Sequence, residues 1–154
     1  MPLFFMEDYM EQLILCLEQK IILLTKILNI TKQIEVRSAQ PEIELEDFLE
    51  QRGVFIERLN KCNTLINSII SELPSAQKSR TKMLLNLQAS ESDCNSDEQK
   101  ILKLSKKCSE LIKRITDLDT VAHQRIKKER DELMEKINEL RKKEYKETPY
   151  QTIN

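Results

Sequence analysis

Residues 44–73 read ELEDFLEQRGVFIERLNKCNTLINSIISEL. Apolar residues recur in this stretch at steps of three, four or seven positions, which is the spacing of one face of an α-helix. Arg52 and Asn63 interrupt the stripe, and polar residues lie opposite it. The pattern predicts a helix of about 30 residues, roughly 45 Å long. We expect the rest of the chain to be organised around this apolar face, which is formed by Leu45, Leu49, Ile56, Leu59, Ile66, Ile70 and Leu73.

A first helix is predicted over residues 6–36, before a short connection at 37–41. Two adjacent apolar rows run along it, and a face of that width is typical of a helix with two neighbours. Pro41 suits the start of the second helix, predicted over 42–73, because its missing N–H is no loss there. The short connection favours an antiparallel hairpin. The two rows are Met6, Met10, Leu13, Leu17, Leu24 and Leu28, and beside them Ile14, Ile21 and Ile27.

A third helix is predicted over residues 97–146, after a loop at 74–95 in which residues 78–88 can form a short helix. Ser96 and Gln99 have the spacing of a capping box at its start. A helix of about 50 residues is roughly 75 Å long, far beyond its partners. More than about twenty residues at its end are therefore expected to lack a partner within the chain. Its regular apolar stripe is Ile101, Leu104, Cys108, Leu111, Ile115, Leu118 and Ala122.

The composition favours long helices throughout. One Gly and four Pro in 154 residues are too few for the tight turns of a β-rich or α/β protein. Charged residues make up 33% and aromatic residues 5%, as is typical of long amphipathic helices. We predict an all-α fold in a single domain, residues 1–154: an elongated antiparallel three-helix bundle with long, coiled-coil-like helices and a long third helix. Gly53, inside the second helix, indicates a close helix crossing rather than a bend.

The charges divide unevenly along the chain. Residues 1–75 carry a net charge of −5 and residues 76–154 a net charge of +4. Antiparallel helices of opposite charge would attract each other at their flanks, which accounts for the division. A nucleic-acid site is the weaker interpretation, because the basic runs at 125–130 and 141–143 are interleaved with Glu and Asp. We therefore predict no nucleic-acid partner.

No residue pattern indicates catalysis, a metal site or a cofactor. The cysteines Cys16, Cys62, Cys94 and Cys108 form no CxxC motif, and His123 is the single histidine. No nucleophile motif is present, and the acidic residues lie mostly on polar helix faces. Neither a signal peptide nor a membrane-spanning run is recognisable. We predict a cytoplasmic protein that is not an enzyme and does not insert into membranes, with Cys16 and Cys108 as small core residues.

Protein binding is the function class that the pattern favours. The end of the third helix is amphipathic and over-long, and its apolar face resembles one side of a helix-in-groove contact. Two alternatives stay open, since this end could fold back on the chain or pair in a homodimer. The candidate partner-binding residues are Ile126, Leu133, Met134, Ile137 and Leu140.

Two segments carry a family resemblance. LEDFLEQRGVFIERLN in the second helix, and the run LIKRITDLDTVAHQRIKKERDELMEKINELRKKEYKETPYQ in the third, resemble the small flagellar export chaperones of the FlgN and FliT type. The shared features are a Leu/Glu/Arg heptad in the hairpin, a long charged final helix, and a basic ending followed by Tyr145 and Tyr150. The resemblance covers nearly the whole chain, although loop 74–95 is longer than the family leads us to expect.

The resemblance implies a flagellar type III export chaperone. Such a protein would bind the amphipathic C-terminal helices of unassembled hook-associated, cap or filament subunits, prevent their premature association and deliver them to the export apparatus. By position, the client would bind the last helix near Ile126, Leu133, Ile137 and Leu140. The alternative is a structural or scaffolding coiled-coil protein, including a homodimer, and we expect a concentration-dependent mass and no specific client if that is correct.

Overall fold

The computed structural model describes the backbone of residues 3–41 and 43–147, and the side chains of 8–41 and 43–144. It contains α1 (Leu3–Ser38), α2 (Glu46–Ser71), α3 (Ser75–Leu85), a single 3-10 turn at Glu91–Asp93, and α4 (Ser96–Glu147). The predicted all-α class is confirmed for this part of the chain, which has no strand. Four α-helices pack together, rather than the three that the sequence led us to expect.

The central element is α1. It packs along both α2 and α4, whereas α2 and α4 have almost no close backbone contact with each other. The organising role predicted for residues 44–73 was therefore wrong. The physical reason is the width of the apolar face, because α1 buries residues on two sides while α2 has a single narrow inward row. The buried residues of α1 include Leu13, Ile14, Leu17, Leu23, Leu24, Ile27, Leu28 and Ile34.

Side-chain contacts fix the helix directions. Tyr9 pairs with Glu72 near one end of the hairpin, and Thr31 meets Arg52 near the other, so α1 and α2 are antiparallel. In contrast, α1 and α4 run in the same direction. Early residues of both helices share one core cluster, and Glu35 near the end of α1 meets Arg125, ninety residues further along the chain, in the later part of α4. Non-helical residues at 39–41 and 43–45 separate α1 from α2, and Pro41 lies among them rather than at the start of a helix.

The inward face of α2 differs from the predicted stripe in its first half. Leu49 and Ile56, expected in the core, are 46% and 40% exposed. Phe48 and Phe55 pack on the buried clusters instead, whereas Leu59 packs on the core as predicted. The second half follows the prediction at Ile66 and Ile70, both of which are buried.

Gly53 has open space around it. A Cβ atom added there would meet no other described atom within 4 Å. The close helix crossing inferred from this glycine is therefore wrong within the described residues.

Three apolar clusters form the core, one after another along α1. The first lies at the α3 end and joins all four helices, with Leu84 of α3 almost fully buried in it. The second lies mid-bundle, where α1 meets Cys108 and Leu111 of α4. The third lies at the hairpin end, around Ala122. The short helix predicted at 78–88 lies three residues earlier, at Ser75–Leu85, and covers one end of the bundle.

A reciprocal pair of hydrogen bonds begins α4, one residue earlier than predicted. The Glu98 N–H donates to Asn95 Oδ1 at 2.9 Å, and the Asn95 N–H donates to Glu98 Oε1 at 3.2 Å. This is a capping box, but Asn95 and Glu98 form it, not Ser96 and Gln99. The Gln99 amide donates instead to the carbonyls of Glu91 and Cys94. Because Gln99 takes no part in the capping box, its side-chain amide can form these hydrogen bonds, which connect the preceding 3-10 turn to α4.

The four cysteines are buried and unbridged. The Cys62 thiol donates to the Cys16 carbonyl at 3.3 Å. Burial raises the pKa of the Cys16, Cys62 and Cys108 thiols above the ordinary value. A protonated thiol is a poor nucleophile, so these side chains act as small core residues. Within the described ranges, no cluster of His, Cys, Asp and Glu could hold a metal ion, and no helix has the length and hydropathy needed to cross a membrane.

Candidate partner-binding surface

Helix α4 continues well beyond the end of the bundle. Its last anchor to α1 is Arg125, whose guanidinium donates to the Glu35 carbonyl at 3.0 Å and to the Glu35 carboxylate at 2.7 Å. Because α1 ends at Ser38 and runs in the same direction, it reaches no further than about residue 128 of α4. Residues 129–147, which we call the overhang, extend roughly 28 Å further, and no helix of the described part of the chain lies alongside.

The overhang exposes apolar side chains to solvent. Every described side chain from 127 to 144 is exposed except Ile137, which is partly buried. Leu133 is 57% exposed and Leu140 66%. Steps of four and three residues place Leu133, Ile137 and Leu140 on one side of the helix, and Met134 lies about a quarter turn away. This end of α4 does not fold back on the described core, so one of the two alternatives left open by the sequence is wrong.

Ile126, the fifth predicted residue, is only partly free. It packs on the third core cluster beside Ala122 and Phe48. It also lines a cleft of about 550 Å³ between the first turns of α2 and the stretch 119–126 of α4. Because Ile126 lies on the same side of α4 as Leu133 and Ile137, the cleft and the apolar stripe of the overhang meet at this residue. The structure therefore places four of the predicted residues on one side of α4, with Met134 at the edge.

Leu49 is a surface residue that the sequence placed in the core. It lines the same cleft with Ile34 and Leu45, opposite His123 and Gln124 of α4. No sequence signal could have identified it, because Leu49 and Phe48 are equally good candidates for the inward position and only the packing chooses between them. His123 is exposed.

An ion pair crosses the cleft. Arg52 pairs with Asp119 across the cleft and also donates to the Thr31 hydroxyl at 3.4 Å. Thr31 in turn donates to the Ile27 carbonyl at 2.7 Å. This chain of contacts connects α2, α4 and α1 at a level where α2 and α4 would otherwise be held only by apolar contacts. Arg52 interrupts the apolar stripe of the sequence because its side chain points inward to polar partners, Asp119 and Thr31.

The charges beside the stripe are asymmetric. Lys127, Arg130 and Arg141 lie along one edge, and Arg130 falls between Ile126 and Leu133 in the stripe itself. Arg125, which belongs to the basic run at 125–130, is already paired with Glu35. The remaining cations form a narrow basic edge beside an apolar stripe, which suits a helix that carries acidic residues beside its own apolar stripe.

No protein-family model, no curated protein and no solved structure matches this chain.

Proposed function

We propose that this protein is a helix-binding chaperone of the flagellar type III export kind. The single observation that carries the proposal is the overhang, an extended amphipathic helix whose apolar stripe has no cover from the described part of the chain. The core of the protein holds this helix in place through the pairs Arg125–Glu35 and Arg52–Asp119.

The mechanism follows from helix packing. A client helix of four or five turns lying along residues 129–147 would bury Leu133, Ile137 and Leu140 against its own apolar stripe. While bound, that stripe is unavailable to other subunits, so premature association is suppressed. The buried area is small, because one helix face is contacted over roughly 28 Å. Interfaces of that size release readily, as delivery to an export apparatus requires.

The client class rests on the resemblance of the hairpin and the final helix to the FlgN and FliT type. On that basis the clients are the amphipathic C-terminal helices of hook-associated, cap or filament subunits, and a component of the export apparatus is a further partner. The alternative, a scaffolding homodimer, is disfavoured by charge where two overhangs pair in parallel. A parallel pairing of two overhangs would set Arg130 against Arg130, Glu144 against Glu144, and Lys136 against Arg141.

Binding of a client helix to variants of the overhang tests the proposal. The test variant is the triple substitution Leu133→Gln, Ile137→Gln and Leu140→Gln, and the probes are synthetic C-terminal helices of hook-associated and cap subunits. The matched control substitutes Glu135→Gln and Lys142→Ala on the opposite side of the same helix. Titration calorimetry should show at least about tenfold weaker binding for the triple variant, since three buried apolar side chains are lost, and unchanged binding for the control.

Two outcomes would contradict the proposal in different ways. If both variants bind the client helices as the unmodified protein does, the overhang is not the binding surface. If the subunit helices do not bind but unrelated amphipathic helices bind through the overhang, the protein binds helices but not flagellar clients. Light scattering settles the scaffold alternative, because a mass that doubles with concentration and returns to one chain in the triple variant would identify a homodimer.

A further inference from the structure

A second exposed apolar groove lies between α1 and α2, and no residue of α4 lines it. Leu15, Cys16, Gln19 and Leu23 form its α1 wall, and Arg58, Lys61, Cys62 and Leu65 form its α2 wall. We call it the hairpin groove. Leu15 is 64% exposed and Leu65 53%, so the groove presents apolar side chains as openly as the overhang does. Leu15 lies roughly 35 Å along α1 from Ser38, so the two surfaces are well separated.

The cations beside the hairpin groove are held by an aromatic ring rather than by carboxylates. The Lys26 ammonium lies 5.3 Å from the centroid of the Phe55 ring, and the Arg58 guanidinium lies 5.4 Å from the same centroid. Lys26 belongs to α1 and Arg58 to α2, and because both cations contact the same ring they lie together at the Phe55 end of the groove. No described carboxylate lies within ion-pair distance of either cation.

These cations lie in the half of the chain that is negatively charged overall. Residues 1–75 hold only seven Lys and Arg against twelve Asp and Glu, yet Lys26, Arg58 and Lys61 gather at one groove. Lys61 reaches Glu57 at 4.0 Å, but both side chains are highly exposed and such a pair contributes little. Arg37, three turns after Lys26 on the same side of α1, stacks on Phe48 at 5.2 Å. The basic edge therefore runs along the hairpin beyond the groove itself.

We propose that the hairpin groove is a second docking site, for an amphipathic helix of another protein that carries acidic residues beside its apolar stripe. The apolar side chains of Leu15, Leu23 and Leu65 fit the stripe, and Arg58 and Lys61 on the α2 wall, with Lys26 at the end of the groove, fit the acidic residues. Cation–π contacts keep Lys26 and Arg58 ordered without neutralising them, so their charge is available to a ligand. This site is independent of the overhang and would allow two helices to be bound at once.

Two matched synthetic helices test the proposal with the full-length protein. Both are 16-residue peptides with the same Leu stripe, one with Glu and the other with Lys on its flanks. Fluorescence anisotropy should show binding of the Glu peptide that weakens as salt rises, and at least about tenfold weaker binding of the Lys peptide. Amide NMR shifts on binding should be centred on Leu15, Leu23 and Leu65.

Substitutions locate the binding. The double variant Lys26→Glu and Arg58→Glu should weaken binding of the Glu peptide about tenfold or more, and Leu15→Gln with Leu65→Gln should weaken it comparably. The control Lys113→Glu with Arg114→Glu, on exposed positions of α4, should leave it unchanged. The overhang triple variant should also bind the Glu peptide normally, which separates this proposal from the chaperone function.

Several results would overturn the proposal. These are no binding of the Glu peptide, equal binding of both peptides, or a Glu-peptide affinity that the groove substitutions do not change. Binding to anionic lipid vesicles that is lost with Lys26→Glu and Arg58→Glu, in the absence of peptide binding, would replace the helix with a membrane surface. A dimer that dissociates in the same variant would replace it with a second copy of this chain.

Discussion

At the scale of single residues, the start of α4 provides the sharpest test. Asn95 accepts a hydrogen bond from the Glu98 N–H, while Ser96 makes no side-chain hydrogen bond to a described residue. We expect Asn95→Ala to lower the free energy of unfolding by about 1 kcal/mol, because the first turn of α4 loses its cap. Ser96→Ala is the matched control and should be nearly neutral. Urea denaturation measures both changes. A larger loss of stability for Ser96→Ala than for Asn95→Ala would indicate that Ser96 and Gln99 form the capping box, as the sequence predicted.

Glu98 gives the capping box a pH dependence. Burial opposes ionisation of Glu98, but hydrogen bonds from Arg80 and the Asn95 N–H, with the charge of Arg80, outweigh it and lower the pKa of Glu98 below 4.5. A carboxylate with a lowered pKa stabilises the fold above its unfolded pKa, and this contribution disappears as pH falls through the folded value. Glu98→Gln should therefore be less stable than the unmodified protein at pH 7, with the difference shrinking below about pH 4.5. A constant difference across urea titrations at several pH values would show that the charge of Glu98 is unimportant.

At the scale of elements, the orientation of α2 is the feature to test. Leu59 packs on two of the core clusters, whereas Leu49 is half exposed at the hairpin end. Leu59→Asp should lower the free energy of unfolding by on the order of 4 kcal/mol, because an unpaired charge enters the core. Leu49→Asp should change it little, since the new carboxylate is solvated in the first turns of α2. Circular dichroism during thermal unfolding distinguishes them, and equal destabilisation would mean that the first half of α2 is turned inward as the stripe predicted.

The same helix shows where periodicity stops being informative. Phe48 and Phe55 form one row in the first half of α2, and Leu49 and Ile56 form another about a quarter turn away. Both rows are apolar, so sequence spacing cannot choose between them. The choice is made by the neighbours, because the chosen rotation lets Arg52 reach Asp119 on α4. In the second half, Leu65 and Ile69 form a competing row, and there the predicted residues Ile66 and Ile70 are buried.

At the scale of the whole molecule, the overhang should be dispensable for folding. Deleting residues 132–154 removes no described side chain of the three core clusters. The truncated protein should lose helical circular dichroism in proportion to the residues removed. Its melting temperature should stay within a few degrees, because the loss of surface residues changes the free energy of unfolding by only about 0.5 kcal/mol. It should also lose binding of client helices. A truncated protein that unfolds would show that this segment belongs to the core, and the partner-binding assignment would then be wrong.

The sequence by itself determined the all-α class, the long final helix and its unpaired end, because breaker content, heptad spacing and helix rise are local or additive properties. It also identified Leu133, Ile137 and Leu140 as an apolar stripe. The tertiary structure decided that α1 is the central helix, that Leu49 faces a cleft, and that cations gather beside Leu15 and Leu65. These features depend on which side chains from distant parts of the chain meet, and periodicity along one helix does not contain that information.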